Sequence, residues 1–120
     1  MTLISCGLIL PQVLAAQKEL EKQNIKARVI NMHTIKPIDR DIVIKAAEET
    51  GRIITIEDHN IIGGLGSAVA EILAEEGFGI PFKRIGIKDI FTTIGTQEEL
   101  WKEYEMDALN IGKTALELVA

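Results

Sequence analysis

The chain has 120 residues, a formal net charge of −5, 47% hydrophobic and 26% charged residues, and only 4% aromatics. That length suits one domain burying about two-thirds of its unfolded surface, with a core drawn mainly from Ile, Val, Leu and Ala. No basic cluster or aromatic ladder gives the footprint of a nucleic-acid binder, and no apolar run is long enough to span a bilayer, so neither nucleic acid nor membrane is expected as a partner.

Thr2 to Cys6 predicts a first strand, with Gly7 as its turn. The opening residues carry no basic leader or cleavage site of a secretory signal, so residence in the cytoplasm is expected. The single Cys6 excludes an internal disulfide framework and a cysteine-rich metal site, and reads as a small hydrophobe. Pro11 suits a first helical position. From Pro11 to Gln23, Val13, Leu14, Ala16 and Leu20 share an apolar face, while Gln17, Lys18, Glu21 and Lys22 face water. Asn24 ends this helix, since it tolerates the left-handed conformation.

Ala27 to Met32 predicts a second strand, and His33 to Ile38 a loop in which Pro37 keeps Lys36 out of helical conformation. Asp39 caps a helix running to about Thr50, with Gly51 as its stop and Ile42, Val43, Ala46 and Ala47 inward. Ile53-Ile54-Thr55-Ile56 is the third strand. It is expected to end at Glu57, Asp58 and His59, ahead of Asn60 and the turn Gly63-Gly64-Leu65-Gly66-Ser67. A third helix follows from Leu65 to about Glu76, with Val69, Ile72 and Leu73 inward and Gly77 as its stop. Phe82 to Ile87 is the fourth strand, and Lys88 to Gly95 a longer loop. Thr96 to Glu99 is a capping box that starts a short helix through Tyr104. Asp107 caps a last helix through Val119.

Strand and helix alternate with short connections, which predicts one domain over residues 1–120 of the α/β class. The expected architecture is a three-layer α/β/α sandwich on a mainly parallel sheet of four strands. In such sheets ligands are met beyond the carboxyl ends of the strands. That rule singles out Glu57, Asp58, His59 and Asn60.

Several chemistries compete for these residues. His33 and His59, at the ends of neighbouring strands, can in principle form an acid–base set with Glu57 and Asp58; the plainer alternative has each ring donate to a nearby loop carbonyl. Glu57, Asp58 and His59 are poor joint metal ligands, because successive strand residues point to opposite faces, and no His-x-x-x-His or Cys-x-x-Cys spacing is present. No metal site is expected. Gly63, Gly64, Gly66 and Ser67 put backbone N–H groups at a helix N-terminus, a competent anion site. The wording matches neither the dinucleotide nor the phosphate-loop pattern, and the glycines also suit close packing of helix on strand. A phosphoryl-receiver module fails, since Ser5-Cys6-Gly7 stands where its acidic residues belong.

Two long motifs then carry a resemblance. Arg28-Val-Ile-Asn-Met-His-Thr-Ile-Lys-Pro-Ile-Asp39 and Thr55-Ile-Glu-Asp-His-Asn-Ile-Ile-Gly-Gly-Leu-Gly-Ser-Ala-Val-Ala-Glu71 resemble the C-terminal domain of transketolase, above all the C-terminal half of split transketolases. Thr2 to Gly7 and Arg84 to Phe91 fit the same pattern. The C-terminal domains of 1-deoxyxylulose-5-phosphate synthase and of 2-oxoacid dehydrogenase β subunits are the next most similar.

The resemblance implies a sheet order of 2-1-3-4 and a part of a dimeric enzyme that moves two-carbon ketol units between sugar phosphates. It implies that thiamine diphosphate and magnesium are held between two other domains, with none bound by this one. This chain lacks both the Gly-Asp-Gly motif and the middle domain's activating Glu, so no catalytic residue is assigned and Glu57 is not that residue. The expected partners are the remaining transketolase domains or subunit, in a homodimer, with Glu57, Asp58, His59 and Asn60 near the substrate entrance or domain interface. The family's usual first edge strand is absent ahead of Thr2, so a fragment of a longer chain is expected. A stand-alone phosphate or nucleotide module using Gly63 to Ser67 remains the rival reading.

Overall fold

In a computed structural model that describes residues 1–120, four strands form one parallel sheet in the order β2-β1-β3-β4. They are β1 (Thr2–Cys6), β2 (Arg28–Asn31), β3 (Ile53–Asn60) and β4 (Phe82–Ile87). The helices are α1 (Leu10–Lys22), α2 (Arg40–Thr50), α3 (Leu65–Glu75), α4 (Gln97–Glu103) and α5 (Ala108–Val119), with a short 3-10 turn at Gly7–Ile9. The predicted class and strand order are those observed.

Two apolar layers explain why β1 is buried along almost its whole length. Alternate residues feed opposite faces, as the period of two demands. Leu3, Ile54 and Ile56 join Val13, Ala16, Leu20, Ile111 and Ala115 under α1 and α5. Ile4 and Ile53 join Val43, Ala46, Val69 and Ile72 under α2 and α3. The Arg40 guanidinium also ties α2 to α3 across the surface, reaching Glu75 at 2.8 Å and Glu76 at 2.7 Å.

The local stop signals act as predicted. Asp39 accepts from the Ile42 N–H at 3.1 Å, and Gly51 ends α2 at φ 63°. Thr96 and Glu99 close a reciprocal capping box that starts α4, and those hydrogen bonds hold the Glu99 carboxyl below the usual carboxylate range. Asn24 stands at φ 59° just beyond α1.

Four expectations are corrected. Leu14 is 41% exposed instead of lying on the inner face of α1. The buried stripe is Val13, Ala16 and Leu20, and its i+4 place is taken by Gln17. Gln17 was expected to face water; it is half-buried, and its Nε2 donates to the Ala27 carbonyl at 2.7 Å. The second strand is shorter than Ala27 to Met32. The fourth correction matters most: β3 does not stop at Ile56 but carries Glu57, Asp58, His59 and Asn60 within it. Between the pairs Ile56↔Ile85 and Asn60↔Ile87, β3 has three residues where β4 has one. This bulge breaks the simple alternation of faces.

Candidate functional site

All four strands run the same way, so their carboxyl ends share one edge of the sheet, and every residue singled out in β3 lies there. Glu57 follows Ile53 and Thr55 on the face beneath α3 and is 2% exposed, while Asp58 and His59, in the bulge, are exposed. The Glu57 carboxylate accepts the Leu65 N–H at 2.7 Å and the Gly66 N–H at 2.9 Å, both in the first turn of α3. A carboxylate suits that place because the helix N-terminus has free N–H groups and a partial positive charge. The site where the glycine turn offers to hold an anion thus receives the chain's own.

The glycines make that contact possible. A Cβ on Gly64 would sit 2.0 Å from Glu57 Oε2, and one on Gly66 would sit 2.8 Å from Thr55 Oγ1. Both positions have to lack a side chain for α3 to start this close to β3. Gly63 N–H donates to Ser67 Oγ at 2.9 Å, and the Arg84 guanidinium donates to the Ile61 carbonyl at 3.0 Å and to Ser67 Oγ at 3.2 Å. Ser67 therefore braces the turn. Its hydroxyl is already engaged on both sides.

His59 Nδ1 lies 2.6 Å from the Asn60 carbonyl oxygen. A carbonyl only accepts, so Nδ1 carries the proton and Nε2 is left to the solvent side. His59 thus donates to a carbonyl, as the plainer expectation has it, but to that of the last β3 residue and not to a loop carbonyl. His33 Nδ1 instead pairs with the Thr34 hydroxyl at 2.7 Å. The two rings line different hollows, His59 beside Cys6 and Glu57, and His33 beside Met32 and Pro37. They form no joint acid–base set.

The hollow beside His59 is a cleft of about 480 Å³ between the ends of β1 and β3, with Leu8, Lys36, Asp58 and Gly64 also on its walls. Cys6 is half-buried there, and burial first, then the nearby Glu57 charge, pushes its thiol above the usual range. Glu57 Oε2 stands 3.9 Å from His59 Nδ1, beyond hydrogen-bond reach. No three of the chain's His, Cys, Asp and Glu side chains converge as metal ligands.

Sequence reasoning missed four participants. Asp58 Oδ2 accepts from Gln97 Nε2 at 2.6 Å, and Asn60 Nδ2 donates to Asp89 Oδ1 at 3.1 Å. Tyr104 Oη accepts from the Thr93 N–H at 2.7 Å. Gln97, Asp89 and Tyr104 are far from β3 in sequence and carried no local signal. Lys36, on the cleft wall, was read only as a loop residue.

With this geometry in place, comparison with known proteins decides the family. Residues 1–111 match the family model described as transketolase, C-terminal domain. The chain belongs to the transketolase C-terminal domain family. It is 42% identical over 117 residues to a transketolase C-terminal section from Methanocaldococcus jannaschii, covering 98% of this chain and 36% of that protein. It is 38% identical over 117 residues to a 1-deoxy-D-xylulose-5-phosphate synthase from Heliobacterium modesticaldum, covering 98% of this chain and 18% of the synthase.

A solved split-gene transketolase, described as an inactive β4 tetramer, superposes with a TM-score of 0.90 at 38% identity, covering 98% of this chain and 38% of that one. The transketolase of Campylobacter jejuni shares the fold, with a TM-score of 0.63 at 17% identity over 97% of this chain and 16% of that one. This transketolase C-terminal domain thus spans about a third of its split-transketolase relatives, and under a fifth of the synthase.

Proposed function

We propose that this domain completes a thiamine diphosphate-dependent transketolase, an enzyme of the cytoplasm that moves two-carbon ketol units between sugar phosphates, and that it turns over nothing alone. The observation that carries the reading is the carboxyl edge of the sheet. Of the eight large apolar residues left exposed, Leu8, Ile62, Ile90, Phe91 and Ile94 all follow strand ends on that edge, with Leu8 on the wall of the cleft that holds Asp58 and His59. Exposed apolar area gathered around a polar cleft is what a docking face presents. The partner is the remaining transketolase domains or subunit, assembled as a homodimer, with Asp58, His59 and Asn60 at the interface near the substrate entrance.

The residues at the glycine turn do not fit thiamine diphosphate. A diphosphate at the start of α3 would meet the Glu57 carboxylate, which already uses the Leu65 and Gly66 N–H groups. In this reading, cofactor and magnesium are held by the other domains. The same carboxylate weighs against the stand-alone phosphate module.

The test is to assay ketol transfer and dimerisation by the remaining domains with and without this one. A lower rate or a lost dimer without it supports the reading; unchanged rate and unchanged dimerisation contradict it. The relatives among 1-deoxy-D-xylulose-5-phosphate synthases, 38% to 42% identical, favour a second reading in which the domain completes that enzyme instead. Formation of 1-deoxy-D-xylulose 5-phosphate, with no ketol transfer, by the reconstituted protein would select it.

A further inference from the structure

The segment Lys88 to Gly95, between β4 and α4, carries three large apolar residues. Phe91 and Ile94 are exposed to 106% and 99%, and Ile90 to 54%. They give the core nothing. Yet the segment is tied down at several points. Asn60 donates to Asp89, Gln97 beside it donates to Asp58, the Thr93 N–H donates to Tyr104 Oη, and the Ile61 N–H donates to the Ile87 carbonyl at 2.7 Å. The outward polar residues of the β3 tip are thus struts for this loop. Apolar side chains held in one geometry lose little freedom on binding, which is what makes an effective anchor.

We propose that Phe91 and Ile94 are the anchors by which this domain docks into an apolar hollow, rimmed by basic side chains, on the thiamine-binding section of a transketolase, with Asp58 and Asn60 holding the loop in its docking shape. The inference rests on the docking reading of the carboxyl edge and names the residues that carry it. Two observations select this occupant. The chain spans 36% to 38% of the split-transketolase relatives, so most of the length of those proteins lies outside the part it matches. The flanks of the loop are acidic, with Asp58, Asp89, Glu98 and Glu99 against Lys88, in a chain of net charge −5. A second copy meeting this face about a two-fold axis would set those acids against their own counterparts. A basic rim complements them.

The test measures binding of this chain to the thiamine-binding section of a split transketolase, by titration calorimetry, for wild type, Phe91→Ser/Ile94→Ser, Asn60→Ala/Gln97→Ala and Val119→Ser. Val119 is an exposed apolar control at the far end of α5, next to Leu118, whose carbonyl accepts from Arg52. Wild type and Val119→Ser should bind alike. The Phe91/Ile94 pair should bind about tenfold more weakly or worse, at an unchanged unfolding midpoint. The Asn60/Gln97 pair should bind more weakly, with faster amide exchange across Lys88 to Gly95.

Wild-type affinity in the Phe91/Ile94 pair would overturn this proposal while leaving the docking reading intact. No binding by wild type would sink both. Self-association that depends on Phe91 and Ile94, without capture of the section, would overturn it in favour of a second copy.

Discussion

At the scale of single residues, Glu57 is the clearest case of chemistry turned to architecture. An acid at the end of a central strand has the position of a catalytic group, but its two oxygens close the first turn of α3 from within. Replacing it by Ala would leave two buried N–H donors unpaired, at about 1–3 kcal/mol each. Glu57→Ala should therefore lower stability by about 2–6 kcal/mol, seen as a lower urea midpoint at unchanged slope. A change under about 0.5 kcal/mol, the range of ordinary surface substitutions, would contradict the cap. Gly64→Ala should be destabilising by the same route, because its Cβ and the Glu57 carboxylate need the same space.

Cys6 gives a second test. Burial and the Glu57 charge both disfavour its thiolate, so the folded thiol titrates above its unfolded value. The stability it contributes is present in full below the ordinary thiol range and is lost as pH climbs through the raised value. Alkylation by iodoacetamide should accordingly rise with pH along a curve displaced upward from that of a free thiol. In Glu57→Gln the curve should move back down. Coincidence of the wild-type curve with a small free thiol would contradict the assignment.

At the scale of elements, the helix pattern predicts costs that differ sharply between two leucines of α1. Leu20 is fully buried under β1, and Leu20→Ala should cost about 2–5 kcal/mol. Leu14 lies outside the buried stripe, so Leu14→Ser should stay within about 0.5 kcal/mol. Equal losses by urea unfolding would mean that the face of α1 is misassigned.

The same contrast explains what the sequence can and cannot disclose. Caps and stops were legible because they are local: Asp39 with Ile42, Thr96 with Glu99, and Gly51 each act within three or four residues. The strand order followed from the resemblance together with alternating elements. The run of β3 past Ile56 was not legible, because its cause is pairing of Asn60 with Ile87 across the sheet. From the unseen continuation of the strand came the unseen role of Glu57. With β3 ended at Ile56, Glu57 looks like a loop acid facing a ligand; with β3 continued, it turns inward beneath α3.

At the scale of the whole molecule, the sheet sorts its surfaces by direction. The amino edge and the helix faces close on the two cores, whereas the carboxyl edge keeps the Cys6–His59 cleft and most of the exposed large apolar residues. Its one helix N-terminus with a glycine turn is filled by Glu57. Under the proposed function, this edge is the face that meets the remaining domains.

The most direct measurement is thiamine-dependent ketol transfer by the purified chain, assayed alone and again after adding the thiamine-binding section. The account predicts no turnover alone and turnover on reconstitution. Turnover by the chain on its own, with thiamine diphosphate and magnesium supplied, would contradict it.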